Sequence, residues 1–382
     1  MREVVIVEAV RTPVGKRKGF LRNERPDELA AKTLKELVNR AGISPELVED
    51  VILGCVAQVE EQGLNIARTS ALMAGFPIEV PGTTIDRQCG SGQQAVHFAS
   101  QAILSGDMDI VIAGGVESMT RIPMGSTRKN SSWSEVLTSR YEMIHQGLSA
   151  ERIAEKWELT RQELDQFSFE SHRRAIRAQD EGRFDREIMP LEVTLEDGTK
   201  MVVTQDEGPR RGTSLEKLAT LKPAFTEDGK IHAGNASQMS DGAAAILLMS
   251  REKAEELGLK PRFRVVARTV VGSDPTLMLT GPIEATKRVL NRAGLTIRDM
   301  DTYEVNEAFA PVPMVWQREL DADPEKLNPN GGAIALGHPL GASGARVMIT
   351  MMSELERIGG RYGLQAICEG GGMANATIIE RL

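Results

Sequence analysis

Residues 29–54 read LAAKTLKELVNRAGISPELVEDVILG, and residues 283–307 read IEATKRVLNRAGLTIRDMDTYEVNE. The tetrapeptide Asn-Arg-Ala-Gly begins at Asn39 in the first segment and at Asn291 in the second, an offset of 252 residues. In each segment apolar residues recur with a helical period up to the glycine, and a short apolar run follows. Such self-similarity predicts that the chain contains two copies of one structural unit.

The same offset joins a second pair of motifs. The offset of 252 residues aligns Cys89, the first residue of CGSG, with Gly341, the first residue of GASG. Each motif is followed by an apolar pattern of helical period and then by a short apolar run that ends in glycines, DIVIAGG in the first copy and LQAICEGGG in the second. Alternating strands and helices predict an α/β fold with sheets covered on both faces. We therefore expect two duplicated α/β halves related by a pseudo-twofold axis.

A segment without this pattern separates the two copies. It contains charged helical stretches such as SAERIAEKWELTRQELDQFSFESHRRAIRAQ and runs punctuated by glycine and proline. Because insertions beside a glycine-rich turn often carry substrate contacts, we expect this one to lie over the core and to contribute to binding. The predicted organisation is an N-terminal half formed by residues 1–118 and 238–262, an inserted loop domain formed by residues 119–237, and a C-terminal half formed by residues 263–382.

The composition is that of a globular protein. Among 382 residues, 46 Lys and Arg against 54 Asp and Glu give a net charge of −8, which argues against nucleic acid as a partner. No apolar run approaches the roughly 20 residues of a membrane span, and the N-terminal apolar run is too short for a signal peptide. The three cysteines show no CxxC spacing, which is typical of free thiols in a reducing compartment. We predict a cytoplasmic protein with neither a metal site nor a membrane partner.

Three residues are candidates for catalysis. Cys89 lies where a predicted strand meets a predicted helix, and the N–H groups and dipole at a helix start are expected to lower the pKa of its thiol. His338 immediately precedes the second copy of this turn, so the pseudo-twofold axis would bring it towards Cys89, and a Cys–His pair suits nucleophilic acyl transfer. Cys368 precedes three glycines, whose N–H groups suit a developing oxyanion. The other histidines stand in polar or helical contexts that favour structural or surface roles: His97, His145, His172 and His232.

These motifs resemble the thiolase family over nearly the whole chain: CGSG at Cys89, NEAFA from Asn306, NPNGGAIALGHPLGASGAR around His338, and CEGGGMANA from Cys368. The family cleaves a 3-ketoacyl-CoA with a second CoA, or runs in reverse as a Claisen condensation, on a layered αβαβα fold with a large loop insertion. The resemblance implies that His338 activates Cys89, that Cys89 carries the acyl group, and that Cys368 protonates the departing acetyl-CoA carbanion. It implies one oxyanion hole from His338 with a water held by Asn306, and another from the N–H groups of Cys89 and Gly370.

The resemblance also implies contacts with CoA, which would be a substrate and not a resident cofactor. Ser237 in GNAS matches a pantetheine contact, and Arg210 in GPRRG matches a contact near the adenine nucleotide, for which Arg211 is an equal alternative. The family assembles as dimers or dimers of dimers, so we expect a homodimer or a homotetramer. Further positions expected at the substrate pocket are Met278, Phe309 and His145.

The sequence is compatible with more than one function. Short-chain condensing thiolases tend to carry His-Met where His145 is followed by Gln146, and ESMTRIPMG (117–125) resembles degradative members. We therefore predict a 3-ketoacyl-CoA thiolase, with an acetoacetyl-CoA-forming acetyltransferase as the alternative. A carrier that binds acyl-CoA without turnover is a further possibility, although the three reactive residues argue against it. A decarboxylating condensing enzyme would pair its nucleophile with two histidines, whereas this chain has Cys368 in the second position.

Overall fold

The computed structural model describes residues 2–382, which form twelve strands and twelve α-helices. The strands are β1 (Val4–Arg11), β2 (Gly15–Lys16), β3 (Asp50–Gly54), β4 (Gly82–Ile85), β5 (Ile110–Ser118), β6 (Leu191–Thr194), β7 (Lys200–Val203), β8 (Ser240–Ser250), β9 (Phe263–Gly272), β10 (Thr302–Val305), β11 (Tyr362–Glu369) and β12 (Met373–Arg381). The helices are α1 (Pro26–Ala41), α2 (Ile66–Met73), α3 (Ser91–Ser105), α4 (Glu135–Thr138), α5 (Gln146–Lys156), α6 (Arg161–Asp180), α7 (Leu215–Ala219), α8 (Arg251–Glu256), α9 (Gly281–Ala293), α10 (Pro311–Leu320), α11 (Ala333–Leu336) and α12 (Leu340–Ile358). Within residues 2–382, no helix combines the length and the apolar composition needed to cross a bilayer.

The large sheet repeats one strand arrangement twice. Its first half has the order β1-β8-β5-β3, and its second half has the order β9-β12-β11-β10. In both halves the first two pairings are antiparallel and the third is parallel. The halves join where β1 pairs with β9 over two residue pairs. The duplicated α/β fold predicted from the sequence is therefore confirmed.

Helices α3 and α12 form a central layer between the two halves. α12 packs on strands of both halves, including β8 and β11, and α3 packs on α12, β3 and β5. The two helices approach so closely that a Cβ atom on Gly92 would lie 2.8 Å from the Ala345 nitrogen and 2.9 Å from the Gly341 oxygen. The glycines of CGSG and GASG thus allow the two equivalent turns to meet, as the duplication predicts.

Helices α1 and α9 cover the outer faces of the two halves and complete five layers. Each has a proline in its first turn, where the missing N–H costs no hydrogen bond, at Pro26 and Pro282. Each ends at a glycine in the left-handed conformation, Gly42 with φ 68° and Gly294 with φ 66°. The amphipathic helices of the repeated segments therefore end in the same way.

The insert packs over both halves and is tied to β1 by buried charges. The Arg11 guanidinium donates to Glu187 at 2.7 Å and to the two Asp206 oxygens at 2.7 and 2.9 Å. All three side chains are buried. The β6–β7 hairpin adds apolar residues to the core that lies under α1, including Leu191 and Val203. The insert is thus part of the packed core on this side.

Candidate active site

Cys89 lies in a tight turn between β4 and α3. Gln88, the residue before it, has a positive φ of 48°, which is uncommon for a residue with a side chain. Ser91 holds the turn, since its hydroxyl donates to the Gln88 carbonyl at 2.6 Å and accepts from the Arg87 N–H at 2.8 Å. Cys89 packs against Leu340 at the start of α12 and Ile367 on β11. The first-half turn therefore presents its thiol to elements of the second half.

The prediction that the helix start lowers the pKa of Cys89 is wrong, because the net shift is upward. Burial is the largest influence and raises the pKa of Cys89 to about 12, and the charge of Glu369 raises it further. The residue's own backbone N–H lowers the pKa, but by less. Cys89 is therefore a thiol at neutral pH and needs a base to become a nucleophile.

His338 has the protonation state that such a base requires. Burial lowers the pKa of His338 to about 3, with a smaller contribution from the charge of Arg346, so the ring is neutral at pH 7. The Ser343 hydroxyl donates to the Pro339 carbonyl at 2.8 Å and lies 2.6 Å from His338 Nδ1. Because a hydroxyl has one proton to donate, Nδ1 must carry the hydrogen of that second contact. Nε2 then carries no hydrogen, and its lone pair can accept one.

Asn306 and Gly370 lie beside these groups. Asn306 directly follows β10, and its Nδ2 is 3.4 Å from His338 Nε2. Its Oδ1 is buried and has no hydrogen-bond partner among residues 2–382, so it is available to a water or a substrate group. A Cβ atom on Gly370 would lie 3.2 Å from Gln88 Oε1, which puts the glycine segment after β11 against the Cys89 turn.

Cys368 lies near the end of β11, fully buried. Burial raises the pKa of this thiol well above its ordinary value, and a charge on Cys89 would raise it further, so the two sulfur atoms are electrostatically coupled. Its side chain belongs to an apolar cluster that includes Met278 and Phe309. Two thiols and apolar walls therefore border one site.

A line of aromatic rings leads from this cluster to the surface of the insert. Phe309 contacts Phe225 edge to face with ring centres 5.9 Å apart, and Phe225 stacks on His145 at 5.2 Å. His145 also caps α5, since its Nδ1 accepts the Gly147 N–H at 3.0 Å. All three predicted pocket residues are thus connected with the Cys368 cluster or with this line of rings.

A cavity of about 410 Å³ lies beside Phe225 and contains both predicted CoA contacts, Ser237 and Arg210. Lys16 and Arg17 also line it, and of the three cations Lys16 is paired with Glu207 at 3.2 Å, which leaves Arg17 and Arg210 to face this space. Arg211, the alternative to Arg210, forms an ion pair with an aspartate of α6. The cavity has the charge that a phosphorylated ligand requires.

A larger cavity of about 710 Å³ lies between α6 and α10, and none of the ten predicted site residues lines it. Its cations are paired with carboxylates of its own walls, for example Arg174 with Glu170 and Arg318 with Glu163. This cavity therefore offers less net attraction to an anion than the smaller one, and we assign the smaller cavity to the candidate site.

Three of the remaining histidines have structural partners, as expected. Their hydrogen bonds are His97 Nε2 to Thr377 Oγ1 at 2.7 Å, His172 Nδ1 to the Arg210 N–H at 3.1 Å, and His232 Nε2 to Asp165 Oδ1 at 2.6 Å.

Comparison with known proteins agrees with this geometry. Family models described as the thiolase N-terminal domain and the thiolase C-terminal domain match residues 4–252 and 259–381. The chain belongs to the thiolase family.

Named thiolase relatives align with the whole chain. A steroid 3-ketoacyl-CoA thiolase of Mycobacterium tuberculosis is 51% identical over 397 residues, covering 100% of this chain and 95% of that protein. A 3-ketoacyl-CoA thiolase of Bacillus subtilis is 44% identical over 391 residues and covers 100% of both chains. The crystal structure of the Bacillus anthracis acetyl-CoA acetyltransferase superposes with a TM-score of 0.92 at 42% identity, covering 100% of this chain and 99% of that one.

Some residues of this thiolase site were missed in the sequence analysis. Lys16 and Arg17 belong to the basic run GKRKG that follows β1, and a basic run bounded by glycines is a signal that could have found them. Ser343 lies within the GASG copy of the turn, but only its distance to His338 shows its role. Phe225 carries no local signal, because its place depends on how the insert packs on Phe309.

Proposed function

We propose that this thiolase cleaves 3-ketoacyl-CoA with CoA through an acyl thioester on Cys89. His338 takes the Cys89 proton, and the sulfur forms a bond to the 3-keto carbon of the substrate. The bond between carbons 2 and 3 breaks, and the electron pair left on carbon 2 takes the proton of Cys368, which releases acetyl-CoA. Cys368 then takes the proton of the incoming CoA thiol, whose sulfur displaces Cys89 from the acyl carbon, and His338 returns its proton to Cys89.

The observation that carries the proposal is the packing of Cys89 against Leu340 and Ile367, which lie close to His338 and Cys368 in the chain. A buried thiol with a raised pKa does not react by itself, and the proposal assigns its activation to the unprotonated Nε2 of a neutral His338. The unpartnered Oδ1 of Asn306 supports a water-assisted oxyanion hole, and Gly370 beside the Cys89 turn supports a second one. Of the two thiols, Cys89 carries the acyl group and Cys368 serves the proton transfer of each half-reaction.

The apolar cluster around Cys368 supports a substrate with an acyl chain beyond the acetoacetyl group. Met278 and Phe309 are both buried against it. The cations around the cavity at Ser237 support CoA as the second substrate. The steroid substrate in the name of the mycobacterial relative makes a bulky acyl group a further candidate. We also propose that the protein acts in the cytoplasm as a homodimer or homotetramer.

Intact-protein mass spectrometry tests the thioester directly. Wild type is mixed briefly with acetoacetyl-CoA, with 3-ketohexadecanoyl-CoA or with a steroid 3-ketoacyl-CoA, and free CoA is then added. We expect an acyl adduct in wild type and in the matched Cys55→Ala control, where Cys55 is a buried cysteine outside the proposed mechanism. The adduct should be absent in Cys89→Ala and should disappear when CoA is added.

The choice of substrate decides between the two thiolase activities. A faster and larger adduct with a long or bulky acyl-CoA supports degradation, whereas reaction with acetoacetyl-CoA alone supports the acetyltransferase. Bound acyl-CoA with neither adduct nor turnover would overturn the proposal in favour of a carrier.

A further inference from the structure

Glu117 and Glu369 occupy equivalent positions of the two halves, because the offset of 252 residues joins them. Glu117 lies at the end of β5, and Glu369 lies at the end of β11. The Glu117 carboxyl group accepts four hydrogen bonds of 2.8 to 3.1 Å. The donors are the backbone N–H groups of Val56, Ala57 and Gly341 and the side-chain amide of Gln62. In the first half the glutamate is thus a fully bonded support that fixes the second-half turn at Gly341.

Glu369 does not make the equivalent bonds. Its side chain is buried, and neither carboxyl oxygen has a hydrogen-bond partner among residues 2–382. The residue equivalent to Gly341 is Cys89, whose N–H is not bonded to Glu369. An unpartnered buried carboxyl group is costly, so its position beside the nucleophile calls for an explanation.

The carboxyl group of Glu369 occupies the space beside Gly90. A Cβ atom on Gly90 would overlap Glu369 Oε1, so the glycine after the nucleophile is what admits this side chain. The CGSG and CEGGG motifs therefore meet at one buried contact, between Gly90 and Glu369.

Burial keeps Glu369 uncharged at neutral pH by raising its pKa to about 9. The charged groups that act on it belong to the Cys89 turn, where Arg87 lowers the pKa and Asp86 raises it. A negative charge on Glu369 in turn raises the pKa of both thiols, Cys89 and Cys368. The carboxyl and the two thiols are thus three buried acids of which only one can readily ionise at a time.

We propose that Glu369 is a positioning residue for Cys89, which permits thiolate formation when its carboxyl group is uncharged and suppresses it when the group is ionised. The proposal rests on the proposed function for the role of Cys89 as the nucleophile. It gives this thiolase an upper pH limit that originates in the second half of the duplication.

Alkylation of Cys89 by iodoacetamide, followed by peptide mass spectrometry, tests this without requiring turnover. Rates are measured from pH 7 to pH 10 in wild type and in Glu369→Gln, which keeps the shape and removes the ionisation. If the two ionisations exclude each other, the ratio of the Glu369→Gln rate to the wild-type rate should be about 1 at pH 7 and about 2 at pH 9. At pH 10 it should approach about 10, because wild-type thiolate forms only in the uncharged fraction of Glu369.

Asp86→Asn is the matched control. Asp86 also raises the pKa of Cys89, and its side chain accepts the Gln88 N–H at 2.7 Å, which an asparagine oxygen can still do. Because Asp86 raises the pKa of both Cys89 and Glu369, Asp86→Asn should react faster than wild type at pH 7, and its ratio to the wild-type rate should fall as pH rises, opposite to the ratio of Glu369→Gln.

A Glu369→Gln ratio that stays constant from pH 7 to pH 10 would overturn the proposal, since a structural effect has no reason to follow this titration. A ratio that rises with pH supports it even if the chain has no thiolase activity, so failure of the proposed function remains distinguishable. Where turnover is present, the decline of kcat/KM above about pH 9 in wild type should move to higher pH in Glu369→Gln.

Discussion

Replacing Ser343 with alanine tests how His338 is prepared as a base. The variant removes the oxygen that lies 2.6 Å from His338 Nδ1, and it leaves a buried N–H without an acceptor. An unsatisfied buried donor costs about 1–3 kcal/mol. The ring can avoid this cost by moving its proton to Nε2, but that tautomer cannot take the proton of Cys89. We therefore expect kcat/KM to fall by about 5- to 150-fold, at 1.4 kcal/mol per factor of ten.

The assay is thiolysis of acetoacetyl-CoA at saturating CoA, with kcat and KM determined separately. The loss should lie in kcat, because Ser343 contacts the base and not the CoA cavity. Ser70→Ala is the matched control, since Ser70 is an equally buried helical serine whose hydroxyl donates to the Asp27 carbonyl at 3.0 Å. Thermal unfolding of both variants separates a loss of fold from a loss of catalysis.

Activity within twofold of wild type in a folded Ser343→Ala protein would refute the assignment of the His338 tautomer. So would an equal loss in Ser70→Ala, because the effect would then follow from any buried serine and not from the contact with His338.

Three further predictions concern stability. Arg11→Met leaves Glu187 and Asp206 buried without their cation and should lower the free energy of unfolding by about 3–5 kcal/mol in urea titrations; a change below about 1 kcal/mol would contradict the buried ion pairs. Gly90→Ala should cost about 1–3 kcal/mol in the presence of Glu369 and clearly less in a Glu369→Ala background, and equal costs in the two backgrounds would show that the overlap is absent. Burial raises the pKa of Glu369 from 4.5 to about 9, so between these pH values the folded state binds more protons than the unfolded state. The free energy of unfolding of wild type should therefore fall as pH rises through this window. In Glu369→Ala it should fall less steeply in the same urea titrations.

The sequence was sufficient to predict the duplication because helix ends and turns depend on local residues. Asn39 and Asn291 lie at the ends of helices that terminate in the same left-handed glycine conformation. The strand order repeats between the halves for the same reason, since equivalent elements pack in equivalent ways. The meeting of the two turns then followed from symmetry alone.

The electrostatics of the site could not be predicted from local sequence. A helix start favours a thiolate, and that was the basis for expecting a lowered pKa at Cys89. The burial of the thiol and the approach of Glu369 are tertiary effects, and together they outweigh the local one. The Phe225 contact and the Ser343 bond to His338 likewise join segments or atoms whose distances no sequence pattern specifies.

The duplication also suggests a reason why the proposed nucleophile belongs to one half only. In the first half, Glu117 accepts the Gly341 N–H at 2.9 Å, so that donor is committed to the structure. If Glu369 bound Cys89 in the same way, the Cys89 N–H would be occupied and could not stabilise an oxyanion. The carboxyl group of Glu369 instead takes the space beside Gly90 and does not accept from the Cys89 N–H, which the proposed mechanism uses for the oxyanion. The two glutamates thus differ between the halves: Glu117 fixes the Gly341 turn, whereas Glu369 leaves the N–H of the equivalent Cys89 available for the proposed reaction.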